Sequence, residues 1–117
     1  MAKTFKDFVD DAKTRITEVT IDQVAAEPDA TLIDLREDSE WEKGHLPGAV
    51  HLSRGVLEVR ADKVLPDKDV PLVLYCGGGN RSALAADVLQ QMGYTNVRSM
   101  AGGWRAWTAA GNPTEQE

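Results

Sequence analysis

The residues best suited to chemistry lie in one short stretch, LVLYCGGGNRS, at positions 72–82. It contains the single cysteine of the chain, Cys76, which therefore cannot form an internal disulfide. The apolar run 71–75 before Cys76 has the length and composition of a buried strand. The run 82–92 after it (SALAADVLQQM) is typical of a helix that ends at Gly93. Cys76 is thus predicted to lie in a glycine-rich turn between a strand and a helix.

A turn of this kind can stabilise a thiolate. Consecutive glycines let the backbone curl tightly, so that several amide N–H groups point inward at an anion. The following helix adds free N–H groups and the positive end of its dipole, and Arg81 adds a full charge. Such surroundings lower the pKa of a cysteine and make it a nucleophile at neutral pH without a histidine base.

Two other interpretations of the stretch are open. Cys76 could be an inert buried thiol, since free cysteine often behaves as a small core residue. The glycines could also belong to a nucleotide phosphate loop, but the pattern G-x-x-x-x-G-K-[ST] and its lysine are missing. The contiguous order of strand, cysteine, glycines, arginine and helix favours a nucleophile site.

The elements that must position Cys76 alternate along the chain. Short β-prone runs occur at 16–19, 31–35, 49–52, 71–75 and 97–100, and helical patterns at 3–15, 20–28, 38–43, 54–65, 82–92 and 103–110. This alternation predicts an α/β fold, a parallel sheet with helices on both faces. Ligands of such sheets bind beyond the carboxyl ends of the strands, which is where Cys76 stands.

Composition narrows the class of protein. A chain of 117 residues is one domain by the usual prior, and its net charge of −6 argues against nucleic acid or anionic membrane as a partner. No apolar run approaches a membrane span, and the first residues do not resemble a signal peptide, so a cytoplasmic location is expected. No histidines and cysteines are spaced as metal ligands, and we expect no metal.

Three ordered motifs give the chain a resemblance to the rhodanese family of sulfurtransferases in its single-domain form. The segment IDLREDSEWEKGHLPGAVHL (33–52) resembles the first signature of the family, and LVLYCGGGNRS resembles its active-site loop. The segment GYTNVRSMAGGWRAW (93–107) resembles its closing signature. The resemblance covers residues 16–111, which leaves an amphipathic helix at 1–15 and a polar tail at 112–117.

The resemblance implies a five-stranded parallel sheet flanked by helices, and a chemistry that needs no cofactor. Cys76 would accept sulfur from a small anionic donor, either thiosulfate or a persulfide or polysulfide. The resulting persulfide would pass its outer sulfur to cyanide, to a thiol or to a sulfur-relay protein. The residues expected to bind the donor are Gly77, Gly78, Gly79, Asn80, Arg81, Ser82, Arg36 and Arg54.

Some of these roles have structural alternatives. Arg36 and Asp34 could form a buried pair that braces a loop, and Arg54 could lie on a solvated helix face. His45 resembles the motif histidine of the family and is expected to brace a loop by hydrogen bonding.

Two other functions are also open. One is a sulfur-relay or binding module that acts with a protein partner, for which the helix at 1–15 is the feature of interest. The other is a cysteine-dependent phosphatase, disfavoured because only four residues separate Cys76 from Arg81, where such phosphatases have five.

Overall fold

The computed structural model describes residues 2–116, which form a three-layer α/β domain. The strands are β1 (Thr17–Val19), β2 (Thr31–Asp34), β3 (Val50–His51), β4 (Leu72–Tyr75) and β5 (Val97–Met100). The helices are α1 (Phe5–Lys13), α2 (Ile21–Ala25), α3 (Asp38–Glu42), α4 (Leu57–Val64), α5 (Asn80–Gln91) and α6 (Gly103–Ala109). The predicted order of strands and helices is confirmed.

The five strands form one parallel sheet in the order β1-β5-β4-β2-β3. Strand β4 is central, with its first three residues, 72–74, paired to β5 and all four of its residues paired to β2. All four residues of β4 are buried, which is why its sequence is a continuous apolar run. The residue after the central strand is Cys76, so the candidate nucleophile lies at the middle of the carboxyl edge of the sheet.

Alternate residues of the sheet face two hydrophobic clusters, one on each side. Leu72 and Leu74 pack with residues of α4 and α5, whereas Val73 and Tyr75 pack with residues of α2 and α6. This alternation is the two-residue period of a strand. The helices therefore cover both faces of the sheet, as the sequence predicted.

Two helix boundaries differ from those predicted. Helix α5 begins at Asn80, two residues before the start predicted at 82, because Gly79 caps it with φ +99°, a conformation that favours glycine. The helix predicted over 54–65 is divided into a 3-10 turn, Arg54–Val56, and helix α4.

Helix α1 is docked on the domain. Thr4 and Asp7 form a reciprocal capping box at its start, and its buried residues are Val9 and Ala12. Just beyond its end, the Arg15 guanidinium donates to both carboxylate oxygens of Asp87 on α5, at 3.0 and 2.8 Å. This pair holds the end of α1 against α5, and Phe5, at the start of α1, lies beside the loop that joins Cys76 to α5.

The C-terminal residues also contact the domain. His45 and Glu115 exchange backbone hydrogen bonds of 2.9 and 2.8 Å, and the Trp107 indole N–H donates to the Pro113 carbonyl at 2.8 Å. Within residues 2–116, no helix is long and apolar enough to cross a membrane.

Candidate active site

Cys76 is held in a cradle of hydrogen-bond donors at the end of β4. The residue is 1% exposed, and the Gly79 amide donates to its Sγ at 3.1 Å. The hydroxyl of Ser82, in the first turn of α5, lies 3.7 Å from Sγ. The turn over residues 77–79 thus brings the start of α5 back over the sulfur, which is the arrangement predicted from the glycines.

This cradle lowers the pKa of Cys76. Burial raises the pKa of the thiol, but the amide and hydroxyl of Ser82 and the amides of Gly79 and Gly78 together outweigh burial. These groups donate to a negatively charged sulfur and so stabilise the thiolate. Donors supplied by the backbone and one serine therefore favour a nucleophilic sulfur, with no histidine beside it.

A second buried serine completes the cradle. Ser99, on β5, lies 2.8 Å from the Ser82 hydroxyl, and Ser82 also reaches the Gly79 carbonyl at 3.1 Å. Both serines are fully buried. When Ser99 donates to Ser82, the single proton of Ser82 is free to point at the sulfur or at the carbonyl.

Helix α6 holds the outer side of the loop. The Trp104 amide donates to the Cys76 carbonyl at 2.8 Å, and the Arg105 amide donates to the Gly77 carbonyl at 3.0 Å. Gly103 packs so closely that a Cβ on it would lie 2.4 Å from the Cys76 carbonyl oxygen. The carbonyls of Cys76 and Gly77 thus accept hydrogen bonds from α6. These bonds hold the loop in a turn whose later amides face the sulfur.

The sulfur opens onto a pocket of about 320 Å³ whose lining is strongly basic. Its lining residues are Phe5, Cys76, Gly78, Asn80, Arg81 and Arg105. Asn80 and Arg81 lie in the first turn of α5, Arg105 lies on α6, and Phe5 lies at the start of α1. Local positive charge is therefore available in a chain whose net charge is −6.

The structure brings most of the predicted site residues together at Cys76. Gly78, Asn80 and Arg81 line the pocket, while Gly79 and Ser82 contact the sulfur. Gly77 is buried beneath the Arg81 and Arg105 guanidiniums.

Arg36 is not among the residues lining this pocket. Its side chain is 3% exposed and its guanidinium forms hydrogen bonds to both carboxylate oxygens of Asp34 and to the Gly44 carbonyl. It also stacks over the Trp104 ring, 4.3 Å from the centroid. Its hydrogen-bonding groups are thus occupied in bracing the segment that follows β2, which is the structural alternative left open above.

Arg54 likewise lies outside the lining of the Cys76 pocket, and pairs with Glu58 at 2.7 Å. His45 is buried, stacks on Trp41 with 3.6 Å between ring centroids, and its Nδ1 lies 2.9 Å from the Leu46 carbonyl. The contacts of His45 are those of a bracing residue, as expected from the sequence.

A larger cleft, of about 450 Å³, lies elsewhere, between α2 and the C-terminal segment. Its lining is mainly apolar and includes Pro28, Leu32 and Trp107, with Glu27 as its ionisable residue. It contains no nucleophile, so we place the site at the smaller pocket. Within the part of the chain that the structure describes, no three histidine, cysteine or carboxylate residues are grouped as metal ligands.

Three residues of the site were missed in the sequence. Phe5 was assigned to a helix outside the motifs, and Ser99 and Arg105 lay in the closing segment without a distinguishing pattern. A signal for Arg105 existed in the Gly-Gly pair at 102–103, because two adjacent glycines before a helix indicate close backbone approach.

Known proteins are similar to this chain in sequence and in fold. The Rhodanese-like domain family model matches residues 17–110. A sulfurtransferase of Allochromatium vinosum is 35% identical over 91 residues, which cover 78% of this chain and 83% of that protein. YrkF of Bacillus subtilis, described as a candidate sulfur carrier protein, is 33% identical over 86 residues. That match covers 74% of this chain but only 45% of YrkF, so the chain spans about half the length of this relative.

Solved structures are similar to this chain in fold. A protein of unknown function from Rhodopseudomonas palustris, described as a possible tyrosine phosphatase, superimposes with a TM-score of 0.88 at 32% identity, covering 98% of this chain and 96% of that one. The polysulfide-sulfur transferase homodimer of Wolinella succinogenes superimposes with a TM-score of 0.81 at 30% identity, covering 97% of this chain and 88% of that one. The limits predicted for the domain, 16 and 111, lie within one residue of the family match but remain predictions. With the family model matching most of its length, this chain belongs to the rhodanese-like family.

Proposed function

We propose that this protein is a sulfurtransferase in which Cys76 carries the transferred sulfur as a persulfide. The observation that carries the proposal is the donor cradle around Sγ, in which the Gly79 amide and the Ser82 hydroxyl contact a buried sulfur at the base of a basic pocket. The same donors that favour the thiolate can hold the charge of a terminal persulfide sulfur.

The first step is attack of the Cys76 thiolate on the outer sulfur of the donor. With thiosulfate, a bond forms between the two sulfurs, the S–S bond of the donor breaks, and its electron pair leaves with sulfite. With a glutathione persulfide, the same attack releases glutathione thiolate, and the proton of the persulfide goes to water. Either route leaves Cys76 as a persulfide. The donor supplies sulfur at the sulfane level and is itself reduced to sulfite or to a thiolate, so no further oxidant is needed.

In the second step the acceptor attacks the outer sulfur of the persulfide. Cyanide leaves as thiocyanate, and the electron pair of the broken S–S bond returns to Cys76 as its thiolate. A cellular thiol would accept sulfur in the same way. The pocket is open enough for a small acceptor to approach, because Gly78 and Asn80 at its rim are exposed.

The direct test is thiocyanate production from thiosulfate or glutathione persulfide with cyanide, compared between the wild type and Cys76→Ser. The proposal expects loss of turnover in Cys76→Ser with an unchanged circular dichroism spectrum and melting temperature. Turnover retained by Cys76→Ser would contradict it.

A relay module that receives sulfur from another protein is the second candidate, supported by the similarity to YrkF. Phe5 and Phe8 on α1 are about half exposed, and Phe5 borders the pocket. This function predicts slow reaction of Cys76 with small donors and fast reaction with a persulfidated protein. Phe8→Ser is the variant to compare, because deleting α1 would uncover the buried Val9 and Ala12.

A phosphatase is less well supported. The loop from Cys76 to Arg81 is one residue shorter than in cysteine-dependent phosphatases, and the residues lining the pocket include no carboxylic acid to protonate an alcohol leaving group. A phosphate ester assay on the wild type tests this function directly.

A further inference from the structure

We propose that Arg105, together with Arg81, forms a subsite at the mouth of the Cys76 pocket that binds the negatively charged leaving group of the sulfur donor. The identity of the donor rests on the proposed function, but the anion subsite can be tested without any sulfur transfer.

The two guanidiniums converge on the same part of the loop. One terminal nitrogen of each lies 3.7 Å from the point that a Cβ on Gly77 would occupy. These nitrogens are therefore no more than twice that distance apart. A second nitrogen of Arg105 lies 2.8 Å from the corresponding point on Gly78. Both side chains line the pocket that contains Cys76, so an anion entering it meets two cations.

Neither guanidinium is neutralised by a carboxylate within residues 2–116. Four of the five other arginines are paired with carboxylates: Arg15 with Asp87, Arg36 with Asp34, Arg54 with Glu58, and Arg98 with Glu27. The fifth, Arg60, lies on α4, outside the lining of the pocket. In a chain with 19 acidic and 13 basic residues, two adjacent unneutralised arginines are a concentration of positive charge at one place. The two positive charges attract an anion that enters the pocket, and the attraction grows as the anion approaches the guanidiniums.

The reaction needs this charge. A thiolate that attacks thiosulfate is an anion approaching a dianion, and the sulfite that leaves carries both negative charges. Two guanidiniums offset the repulsion on approach and stabilise the charge that collects on the leaving group. The stabilisation by the two guanidiniums should be weaker with glutathione persulfide. Its leaving thiolate gains only one charge, and the carboxylates of glutathione lie farther from the reacting sulfur.

The backbone makes Arg105 a clean target for substitution. Its amide, not its side chain, donates to the Gly77 carbonyl and holds the loop. The side chain itself is exposed. A glutamine at this position keeps the amide hydrogen bond and removes only the charge.

The test compares alkylation of Cys76 by iodoacetate, an anion, and by iodoacetamide, its neutral counterpart of nearly equal size. Both reagents react with the same thiolate, so the ratio of their rates cancels any change in the pKa of Cys76. We expect Arg105→Gln to lower the iodoacetate-to-iodoacetamide ratio about fivefold at low salt, the effect of about 1 kcal/mol between unit charges roughly 4 Å apart in water. High salt should reduce the difference.

Two variants serve as controls. Arg60→Gln makes the same change in net charge on α4, outside the lining of the pocket, and should leave the ratio unchanged. Arg105→Lys keeps the charge and should retain most of the wild-type ratio.

An equal ratio in Arg105→Gln and the wild type would overturn the subsite, whether or not the protein transfers sulfur. A lowered ratio in a protein that never forms a persulfide would support the subsite and contradict the proposed function. If both hold, thiosulfate and glutathione persulfide distinguish the donors. The subsite predicts that Arg105→Gln slows reaction with thiosulfate more than reaction with the glutathione donor.

Discussion

The hydroxyl of Ser82 offers the sharpest test of how the loop activates Cys76. It lies 3.7 Å from the sulfur and is fully buried, whereas the other donors to the sulfur are backbone amides that substitution cannot remove. Ser82→Ala therefore isolates one contribution to the low pKa of the thiol.

The size of the effect follows from the geometry. A hydrogen bond to a charged group contributes about 1.5–3 kcal/mol. The contact of 3.7 Å is long even for sulfur, and Ser82 shares its proton with the Gly79 carbonyl at 3.1 Å, so we take the lower end. A loss of about 1.4 kcal/mol corresponds to about tenfold less thiolate at a pH below the pKa.

The assay is the rate of Cys76 alkylation by iodoacetamide as a function of pH. Ser82→Ala should react about tenfold more slowly than the wild type at a pH below both thiol pKa values, and the two rates should converge at high pH, where both thiols are ionised. Ser39→Ala, an exposed serine on α3, is the matched control and should behave as the wild type. Equal rates for Ser82→Ala and the wild type below the pKa would refute the role of the hydroxyl and leave the amides alone to activate the sulfur.

Four further predictions follow from the site and its supports. The pKa of Cys76 in the folded protein lies below its ordinary value, so the stability of the wild type relative to Cys76→Ser should rise with pH through that folded pKa. The rise should level off above about 8.5, the pKa of an unfolded thiol, and urea midpoints measured across this pH range check its sign. Arg36→Met should cost about 3–5 kcal/mol of unfolding free energy, because it leaves Asp34 buried without its cation, while iodoacetamide should still alkylate Cys76 in the folded protein at the wild-type rate. A small loss of stability together with lost thiosulfate binding would mean that Arg36 binds the donor. Gly103→Ala should destabilise the fold and slow alkylation of Cys76, because the added Cβ would collide with the Cys76 carbonyl. A melting temperature and an alkylation rate equal to those of the wild type would contradict the close packing of α6 on the loop. Phe5→Ala should speed reaction with bulky N-ethylmaleimide more than with iodoacetamide, because the ring borders the pocket; an unchanged ratio would mean that α1 does not narrow the mouth.

Structural features that depend only on residues close together in the sequence could be predicted. The strand, the turn at 77–79 and helix α5 are contiguous with Cys76, and glycine composition, apolar runs and capping signals are local properties. The capping box of Thr20 and Gln23 at the start of α2 is another local signal of this kind, with reciprocal hydrogen bonds of 2.8 and 3.2 Å.

Features that depend on which elements meet in space could not be predicted in this way. Arg105 reaches the loop because α6 docks on the Cys76 and Gly77 carbonyls, and Phe5 reaches it because Arg15 ties the end of α1 to Asp87. Neither docking is visible in a local pattern. Arg36 shows the converse: its spacing from Asp34 is a sequence signal, but only the fold shows that the guanidinium is buried away from the pocket.

The central claim is that Cys76 carries sulfur, and intact-protein mass spectrometry tests it most directly. The protein is exposed briefly to thiosulfate or to glutathione persulfide, measured, and measured again after cyanide. The proposed function predicts the gain of one sulfur atom by the wild type, its loss on adding cyanide, and no gain by Cys76→Ser. No gain from either donor, in a protein whose Cys76 is alkylated slowly as well, would contradict the claim that the loop makes this cysteine a sulfur carrier.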